Sequence, residues 1–237
     1  MTWSIVACDE SSGQFGIAVA TRFFAVGALV PHVAHVGAIA TQALINPFFG
    51  TKGLDLLRAG KSTAEAVEIL VAADPGRDHR QLHGMDAQGR IAAHTGGACV
   101  EWCGHRAGEA FSVAGNMLAG ERVLDATAAA YADNEALPFP RRLIAALQAG
   151  EATGGDKRGR QSAALVIQEE EDWPDLDLRV DDHSDPLAEL ARLERVSRER
   201  YVHFLRFLPR RRDPVGITDR GVIERQIAEA LAAAGSQ

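Results

Sequence analysis

The stretch TWSIVACDESSGQFGIAVAT, residues 2–21, decides the fold. Residues 3–8 and 15–20 are two nearly continuous apolar runs, and residues 9–13 between them are rich in turn-forming types. This pattern predicts a β-hairpin. Strands that carry apolar residues on both sides of the pleat are covered on both faces. We therefore expect the sheet that contains this hairpin to lie inside the protein.

Strands and helices follow one another in blocks along the chain. The sequence predicts four strands, two helices, three strands, two helices, two strands and then helices, which excludes a doubly wound fold and favours a layered α+β fold. These elements include a strand at 28–33, a helix at about 118–132 and a charged helix at about 186–208. The change to charged helix predicts a first domain at 1–184 and a C-terminal helical extension at 185–237.

Composition limits the class of protein. The chain has 237 residues, of which 46% are apolar, and a formal net charge of −7. This length allows one substantial core, and the negative charge argues against nucleic acid as a partner. We expect no secretory signal and no membrane partner, because no apolar run approaches the ~20 residues of a membrane span. Three cysteines do not form a disulfide framework, so we expect a reduced, cytoplasmic protein without cofactor or metal.

Thr2 is the candidate nucleophile of this sequence. It follows Met1 directly, and a small second residue permits removal of the initiator methionine. The new N-terminus would carry an α-amine, with a pKa of ~8 in unstructured peptides, beside the threonine hydroxyl. Such an amine is one of the few groups that activate this hydroxyl as a nucleophile. The alternative is that position 2 simply holds a common small residue.

Motifs elsewhere in the chain give Thr2 a context. They are Thr2-x-Ser4-Ile5-Val6-Ala7, Thr41-Gln42, Ala93-His94-Thr95-Gly96, Gly115-Asn116-Met117-Leu118-Ala119-Gly120, Gly155-Asp156-x-Arg158-Gly159-Arg160-Gln161-Ser162 and Leu178-Arg179-Val180-Asp181-Asp182-His183. Over about residues 2–195 the chain resembles an uncharacterised bacterial and archaeal family similar to the N-terminal-nucleophile (Ntn) hydrolases, the superfamily of the proteasome β subunits. The resemblance implies a four-layer αββα sandwich of Ntn-hydrolase type and cleavage of a small amide-type C–N bond. It implies no particular substrate.

The resemblance also implies a site. Thr2 is the expected nucleophile, Ser162 is expected to support its amine, and Asn116 is expected to donate to the oxyanion or to hold the amine. The expected oxyanion donors are backbone N–H groups of Thr41 and Gln42. The residues expected to bind substrate are Arg22, Thr41, Gln42, Asn46, His94, Asp156, Arg158 and Gln161.

The sequence lacks two side chains, an aspartate and a lysine, that proteasome-type sites use near the nucleophile. Residues 20–22 read Ala-Thr-Arg without the aspartate of those sites, and no lysine lies between Thr2 and Lys52. Arg22 supplies positive charge but is a poor proton acceptor. The missing groups motivate a second hypothesis, a catalytically inactive binding or scaffold protein of the same fold.

Other candidate residues have alternative explanations. Asn116 also fits a helix N-cap, Asp156 and Arg158 fit a structural ion pair, and His94 fits a hydrogen-bonded residue at a strand end. Residues 181–183, Asp-Asp-His, fit either a metal site for metal-assisted hydrolysis or an acidic helix cap. The expected partners are a small amide-like substrate and further copies of the chain, in a homodimer or higher homo-oligomer.

Overall fold

The computed structural model describes residues 2–234. The predicted removal of Met1 therefore concerns a residue outside the described range. The chain divides into two compact units, one that ends at Ala191 and one that begins at Arg192. The described residues form ten strands and seven α-helices, a mixed α and β fold. None of the described helices combines the length and the apolar character needed to cross a membrane.

The ten strands pair antiparallel in two sheets. They are β1 (Thr2–Asp9), β2 (Gln14–Thr21), β3 (Pro31–Ala34), β4 (Gly37–Ala43), β5 (Arg80–Asp86), β6 (Ile91–Thr95), β7 (Gly104–Ala107), β8 (Phe111–Asn116), β9 (Ser162–Gln168) and β10 (Leu176–Val180). One sheet has the order β10-β9-β2-β1-β8-β7, and the other has the order β3-β4-β5-β6. The predicted hairpin, β1 with β2, therefore lies at the centre of the larger sheet.

Four helices of the first unit cover the outer faces of the two sheets. The seven described helices are α1 (Pro47–Arg58), α2 (Thr63–Ala73), α3 (Arg122–Asp133), α4 (Phe139–Ala152), α5 (Pro186–Ser197), α6 (Tyr201–Phe204) and α7 (Arg220–Ala234). Helices α1 and α2 pack on the four-stranded sheet, and α3 and α4 pack on the six-stranded sheet. The inner faces of the two sheets pack on each other, so β1 is buried on both sides as its sequence predicts.

The first two helices begin and end as their sequences indicate. The Asn46 side chain accepts a hydrogen bond from Phe48 N–H, and Pro47 occupies the first helical position, where its missing N–H costs nothing. Gly60, just after α1, has a φ of 84°, a left-handed conformation that suits glycine. Ser62 and Glu65 form the reciprocal capping box that starts α2.

An apolar core fills one end of the space between the sheets. Val6 of β1, Ile17 and Val19 of β2 and Met85 of β5 are fully buried there. Burial of such side chains stabilises the fold by roughly 1.5–3 kcal/mol each, counted against full exposure. This core holds the two sheets together and so fixes the position of the other end of β1, where Thr2 lies.

Two predicted elements in the first unit are wrong at their starts. The predicted strand at 28–33 is a turn of 3-10 helix at Val26–Ala28 followed by β3. Gly27 packs so closely on β9 that an added Cβ would lie 2.6 Å from the Ala164 Cβ. The predicted helix at 118–132 begins only at Arg122, because Leu118 N–H donates to Trp102 O at 2.9 Å instead of entering a helix.

Two further differences have local causes. Strand β7 was not predicted, because its four residues, GHRA, carry no apolar alternation and lie at the sheet edge. The predicted helix at 186–208 is instead α5, α6 and a 3-10 turn at Leu205–Phe207. In the second unit this break lets Phe204 and Phe207 pack against Ile223 and Ile227 of α7.

Candidate functional site

Thr2 lies at the start of the central strand, between β2 and β8. It stands directly opposite Asn116, the last residue of β8. The Thr2 hydroxyl donates to the Thr21 hydroxyl at 3.2 Å, and the Asn116 amide donates to the Thr2 carbonyl oxygen at 3.4 Å. Only 5% of the Thr2 surface is exposed. Neighbouring strands thus hold both the backbone and the side chain of Thr2.

Buried polar side chains extend from Thr2 into the space between the sheets. We call the following six residues the polar network: Ser4, Gln42, Gln81, His83, Ser112 and Asn116. Each of them is buried, and β1 and β8 of one sheet face β4 and β5 of the other across it. Buried polar groups need hydrogen-bond partners, and these six find them in one another, in backbone carbonyls and in Thr95.

Gln81 is the junction of the polar network. Its side-chain nitrogen donates to the carbonyl oxygens of Gly104 at 3.1 Å and Gly115 at 2.9 Å, and also approaches the Thr95 hydroxyl at 2.9 Å. Backbone carbonyls only accept hydrogen bonds, so these two fix which end of the Gln81 amide is the nitrogen. The Gln81 oxygen must then face the other way, toward Gln42 and Asn116.

That orientation propagates through the network. Gln42 and Asn116 both donate to the Gln81 oxygen, at 2.8 and 3.1 Å. The Gln42 oxygen consequently faces Ser4, whose hydroxyl donates to it at 2.7 Å. Since the single hydroxyl proton of Ser4 is used there, Ser4 accepts from Nε2–H of His83 at 2.8 Å. Two backbone carbonyls thus determine a chain of donors and acceptors that crosses both sheets.

His83 is a neutral member of this chain. Its other ring nitrogen, Nδ1, lies 2.9 Å from the Ser112 hydroxyl, which donates to it. Complete burial lowers the pKa of His83 to about 3, with a smaller contribution from the nearby His105. A general base acts best with a pKa near the working pH. His83 is therefore suited to holding hydroxyl groups in place rather than to proton transfer at neutral pH.

A cavity of about 340 Å³ opens beside Asn116, and we call it the Asn116 cavity. Its lining residues are Phe23, Ala43, Leu44, His79, Ala98, Cys99, Val100, Asn116, Met117 and Arg158. Ala43 and Met117 have φ values of 70° and 53°, a left-handed conformation that non-glycine residues seldom adopt. Such backbone strain is concentrated at binding and catalytic sites in proteins. Burial raises the pKa of the Cys99 thiol, which keeps it protonated and a poor nucleophile.

The expected partner of the Thr2 amine, Ser162, holds a turn. Its hydroxyl donates to the Phe23 carbonyl oxygen at 2.5 Å and accepts from Val26 N–H at 3.1 Å. Ser162 stands opposite Thr21 in the sheet, one strand further from Thr2 than β2. Its hydroxyl therefore shapes the loop that carries Phe23 into the cavity wall.

The expected oxyanion donors on β4 lie inside the sheet. Thr41 N–H donates to Val30 O at 3.2 Å, and the Thr41 hydroxyl donates to Asn46 O at 3.2 Å. Backbone N–H groups along a strand point alternately to its two neighbours, so that of Gln42 points toward β5. Gln42 does reach the site, but through its side-chain amide in the polar network.

The loop at residues 154–162 brings four predicted residues together around a buried carboxylate. Asp156 accepts from the backbone N–H groups of Arg22 at 2.7 Å and Arg158 at 2.9 Å, and from the Arg158 guanidinium at 3.2 Å. The Arg22 guanidinium donates to Arg160 O, and Gln161 donates to Asp182. Of these side chains, Arg158 lines the Asn116 cavity, whereas Asp156 is buried behind it.

Two predicted substrate contacts lie elsewhere. Asn46 caps α1 and donates to Asp74 at 3.1 Å, beside a smaller cavity of about 120 Å³. His94 stands opposite Leu82, whose side chain packs under α2, and its Nε2 lies 3.0 Å from Arg77 O. Both side chains therefore lie away from the inner face that carries Thr2.

Neither Asn116 nor residues 181–183 cap a helix, so the interpretation of both as helix caps is wrong. Asn116 ends a strand, and α3 begins six residues later. The cap of α5 is Asp185, whose carboxylate accepts from Ala188 N–H at 3.2 Å. Asp182 accepts from Gln161, and His183 Nδ1 accepts from Asp185 N–H. Residues 2–234 contain no cluster of three or more potential metal ligands.

Ser4, Gln81, His83 and Ser112 were not predicted as site residues. A signal for them exists in the sequence, because each is a polar residue next to apolar residues in a strand that is almost entirely buried. Gln81 and His83 are two residues apart, which places them on the same face of β5. Polar residues with period two in a buried strand indicate a shared partner, and here that partner lies on the opposite sheet.

Lysines do not take part in the polar network. All three lysines of the chain have other contacts: Lys52 lies over the Phe48 ring, Lys61 pairs with Glu65, and Lys157 donates to Glu101 O. The proton acceptor of a reaction at Thr2 would therefore have to be a different group.

Comparisons with known proteins identify relatives of the whole first unit. Residues 2–190 match DUF1028, a family of unknown function. The crystal structure of a protein of the same family from Silicibacter pomeroyi is similar, with a TM-score of 0.85 and 33% sequence identity. The match covers 92% of this chain and 99% of that one. None of the curated proteins matches this chain significantly. The chain therefore belongs to DUF1028, a family of unknown function.

Proposed function

We propose that this protein is an Ntn-type hydrolase that cleaves a small amide C–N bond through Thr2 after removal of Met1. The observation that carries the proposal is the double role of Asn116, which holds the Thr2 carbonyl and also lines a cavity. The residue that holds the Thr2 backbone therefore also borders a space large enough for a small molecule. The layer order of helices, sheet, sheet and helices is that of the Ntn hydrolases, which supports the superfamily assignment.

The proposed reaction has two steps. The Thr2 hydroxyl oxygen attacks the amide carbonyl carbon and gives its proton to the α-amine of Thr2. The C–N bond breaks, and the leaving amine takes that proton, which leaves an ester on Thr2. Water then attacks the ester, releases the carboxylic acid and restores the hydroxyl. No oxidant, reductant or second substrate is required.

The α-amine is the base in this proposal because the other candidates are unsuitable. His83 has a pKa of about 3, and the three lysines have contacts elsewhere. An N-terminal amine, whose ordinary pKa is ~8, is partly unprotonated at neutral pH. Thr21 accepts the hydrogen bond of the Thr2 hydroxyl and so orients its oxygen. Asn116 acts as a positioning residue for the Thr2 backbone.

The alternative proposal is an inactive binding protein of the same fold. It is favoured by the neutrality of the polar network, in which no member carries a charge when His83 is neutral. A neutral, fully hydrogen-bonded network suits rigid positioning as well as it suits catalysis. The binding protein would use the same Asn116 cavity without forming an ester on Thr2.

The decisive experiment compares two forms of the protein that differ by one residue. One is released from a cleavable N-terminal fusion so that Thr2 is the first residue, and the other retains Met1. Both are treated with a small β-lactone, and their intact masses are measured. We expect one lactone adduct on the form that begins at Thr2, on Thr2 itself, and none on the form with Met1.

Variants at position 2 distinguish loss of the nucleophile from loss of the folded structure. Thr2→Val keeps the shape of the side chain and should abolish the adduct, whereas Thr2→Ser should retain it. Thermal unfolding of each variant shows whether the fold is intact. Absence of the adduct on a folded form that begins at Thr2 would favour the inactive binding protein.

We also propose that the chain forms a homodimer or higher homo-oligomer. Phe24 and Phe48 are 60% and 66% exposed, and exposed aromatic side chains are enriched at protein interfaces. Light scattering coupled to gel filtration measures the mass in solution. A monomer at micromolar concentration contradicts this proposal.

A further inference from the structure

The charge of the Asn116 cavity is opposite to that of the chain. The net charge of the protein is −7. Among the described residues that line the cavity, however, the ionisable groups are Arg158, His79 and Cys99, and none is a carboxylate. A concave site lined by one sign of charge attracts ligands of the other sign. This cavity is therefore suited to an anion.

The ion pair beside the cavity is asymmetric. The Asp156 side chain is completely buried, whereas 40% of the Arg158 side chain is exposed. The backbone N–H groups of Arg22 and of Arg158 itself also donate to the carboxylate. The acid thus lies inside the protein and holds the loop, while the guanidinium lies at the cavity wall. A guanidinium is planar and matches a carboxylate well.

Three large apolar side chains of the wall are open to solvent. Phe23, Leu44 and Val100 line the cavity, and their surfaces are 52%, 62% and 52% exposed. Ligand sites typically combine apolar side chains with a few placed polar groups. Asn116 links this space to Thr2, since it lines the cavity and donates to the Thr2 carbonyl oxygen. A volume of about 340 Å³ is near the lower end of small-molecule sites.

We propose that the Asn116 cavity binds a small amide that carries one carboxylate and one compact apolar group, such as an N-acyl amino acid. Arg158 binds the carboxylate, and Phe23, Leu44 and Val100 contact the apolar group. The assignment of this ligand as the substrate rests on the proposed function at Thr2. Binding itself does not require that function, so the two proposals fail separately.

The test measures binding without turnover. Thr2→Val protein that lacks Met1 is titrated by calorimetry with N-hexanoylglycine and with N-hexanoylethanolamine, a neutral counterpart that lacks the carboxylate. We expect the acid to bind at least about tenfold more tightly than the neutral compound. We also expect added salt to weaken the binding of the acid only, because screening acts on the charged ligand.

Two variants test where the carboxylate of the ligand binds. Arg158→Gln should weaken binding of the acid about tenfold or more and leave binding of the neutral compound unchanged. Leu44→Asp places a negative charge on the cavity wall without touching the Asp156–Arg158 pair. It removes an apolar contact from both compounds, so it should weaken both, and the acid more strongly because of charge repulsion. Arg106→Gln is the control, since Arg106 is paired with Asp125 on the α3 side of the larger sheet. It should change neither affinity.

The outcomes distinguish the two proposals. Equal affinity for both compounds, or an Arg158→Gln effect equal for both, overturns the assignment of the cavity. If the β-lactone still modifies Thr2 in that case, the proposed hydrolase survives. Preference for the acid that depends on Arg158, combined with no adduct on Thr2, supports the cavity assignment and overturns the hydrolase.

Discussion

The two ends of the space between the sheets differ in chemistry. At one end Val6, Ile17, Val19 and Met85 form an apolar core. At the other end the polar network joins the same sheets through side-chain hydrogen bonds. Strand β1 runs through both ends, with Val6 in the core and Ser4 in the network.

The two ends differ in how strictly they fix the orientation of side chains. Apolar contacts have no preferred direction, so a core tolerates exchanges that conserve volume. Hydrogen bonds have direction, and a buried amide that loses its partner remains unsatisfied. The apolar end therefore holds the sheets together, whereas the polar end fixes the orientation of Asn116 and, through it, of Thr2.

Replacement of Gln81 should have the largest effect on stability. Gln81→Leu removes the acceptor of the Gln42 and Asn116 amides and the donor of two backbone carbonyls. We expect a loss of roughly 3–5 kcal/mol in the free energy of unfolding, since each unsatisfied buried group costs roughly 1–3 kcal/mol. Urea unfolding measures it. The control is Met85→Leu, on the same strand at the apolar end, with an expected cost below roughly 1.5 kcal/mol. Equal losses of stability in Gln81→Leu and Met85→Leu would contradict the proposed difference between the two ends.

Acid should destabilise the protein through His83. Burial lowers its pKa from 6.5 to about 3 in the folded state, so the unfolded state binds a proton between these values and the folded state does not. The stability that depends on neutral His83 is thus complete above about pH 6.5 and falls as the pH drops toward 3. At pH 5 the loss should be on the order of 2 kcal/mol.

Comparison with a variant that lacks the imidazole isolates the contribution of His83 to the loss of stability in acid. His83→Gln removes the titrating group and keeps a polar side chain, so it should lose less stability than the wild type between pH 7 and pH 5. Urea unfolding at both pH values provides the measurement. Parallel losses in the two proteins would show that other groups carry the acid sensitivity.

A smaller effect is expected from one hydroxyl of the network. Ser112→Ala leaves His83 Nδ1 without its donor, which should cost about 1–2 kcal/mol. Ser11→Ala is the matched control, because the Ser11 hydroxyl is exposed on the β1–β2 turn, where water can replace it. We expect the control to change stability by less than about 0.5 kcal/mol in thermal unfolding. A larger cost for Ser11 would reverse the expected order.

The wall of the Asn116 cavity should be the least sensitive region. Leu44 is 62% exposed, so Leu44→Ser removes little buried apolar surface. We expect a change within about 0.5 kcal/mol in the free energy of unfolding. A loss above about 1 kcal/mol would show that this side chain is covered in solution, as an oligomer interface would require.

Most of the order of the elements is predictable from local patterns, and the short edge strand β7 is an exception. The hairpin of β1 and β2, the capping box of α2 and the glycine after α1 all follow from neighbouring residues. The predicted strand at 28–33 differs at its start, where a 3-10 turn places Gly27 close to Ala164, a residue far away in the sequence. Contacts of that kind do not appear in a local pattern.

The site was predictable only in part, for the same reason. Asn116 does contact Thr2, Gln42 is joined to Asn116 through Gln81, and Arg158 reaches the cavity wall. Asn46 and His94 do not join them, because the side of a strand or helix on which a residue lies depends on register. Gln81 and His83 were overlooked, since their role appears only when two sheets are stacked.

The position of β1 along its neighbours has a consequence for insertions and deletions. The register is set at one end by the pair Thr2 and Asn116 and at the other by the hairpin pair Asp9 and Gln14. A one-residue change between these ends would turn every later side chain to the opposite face. Length variation among relatives is therefore expected in the turn at residues 10–13 and excluded from residues 3–8.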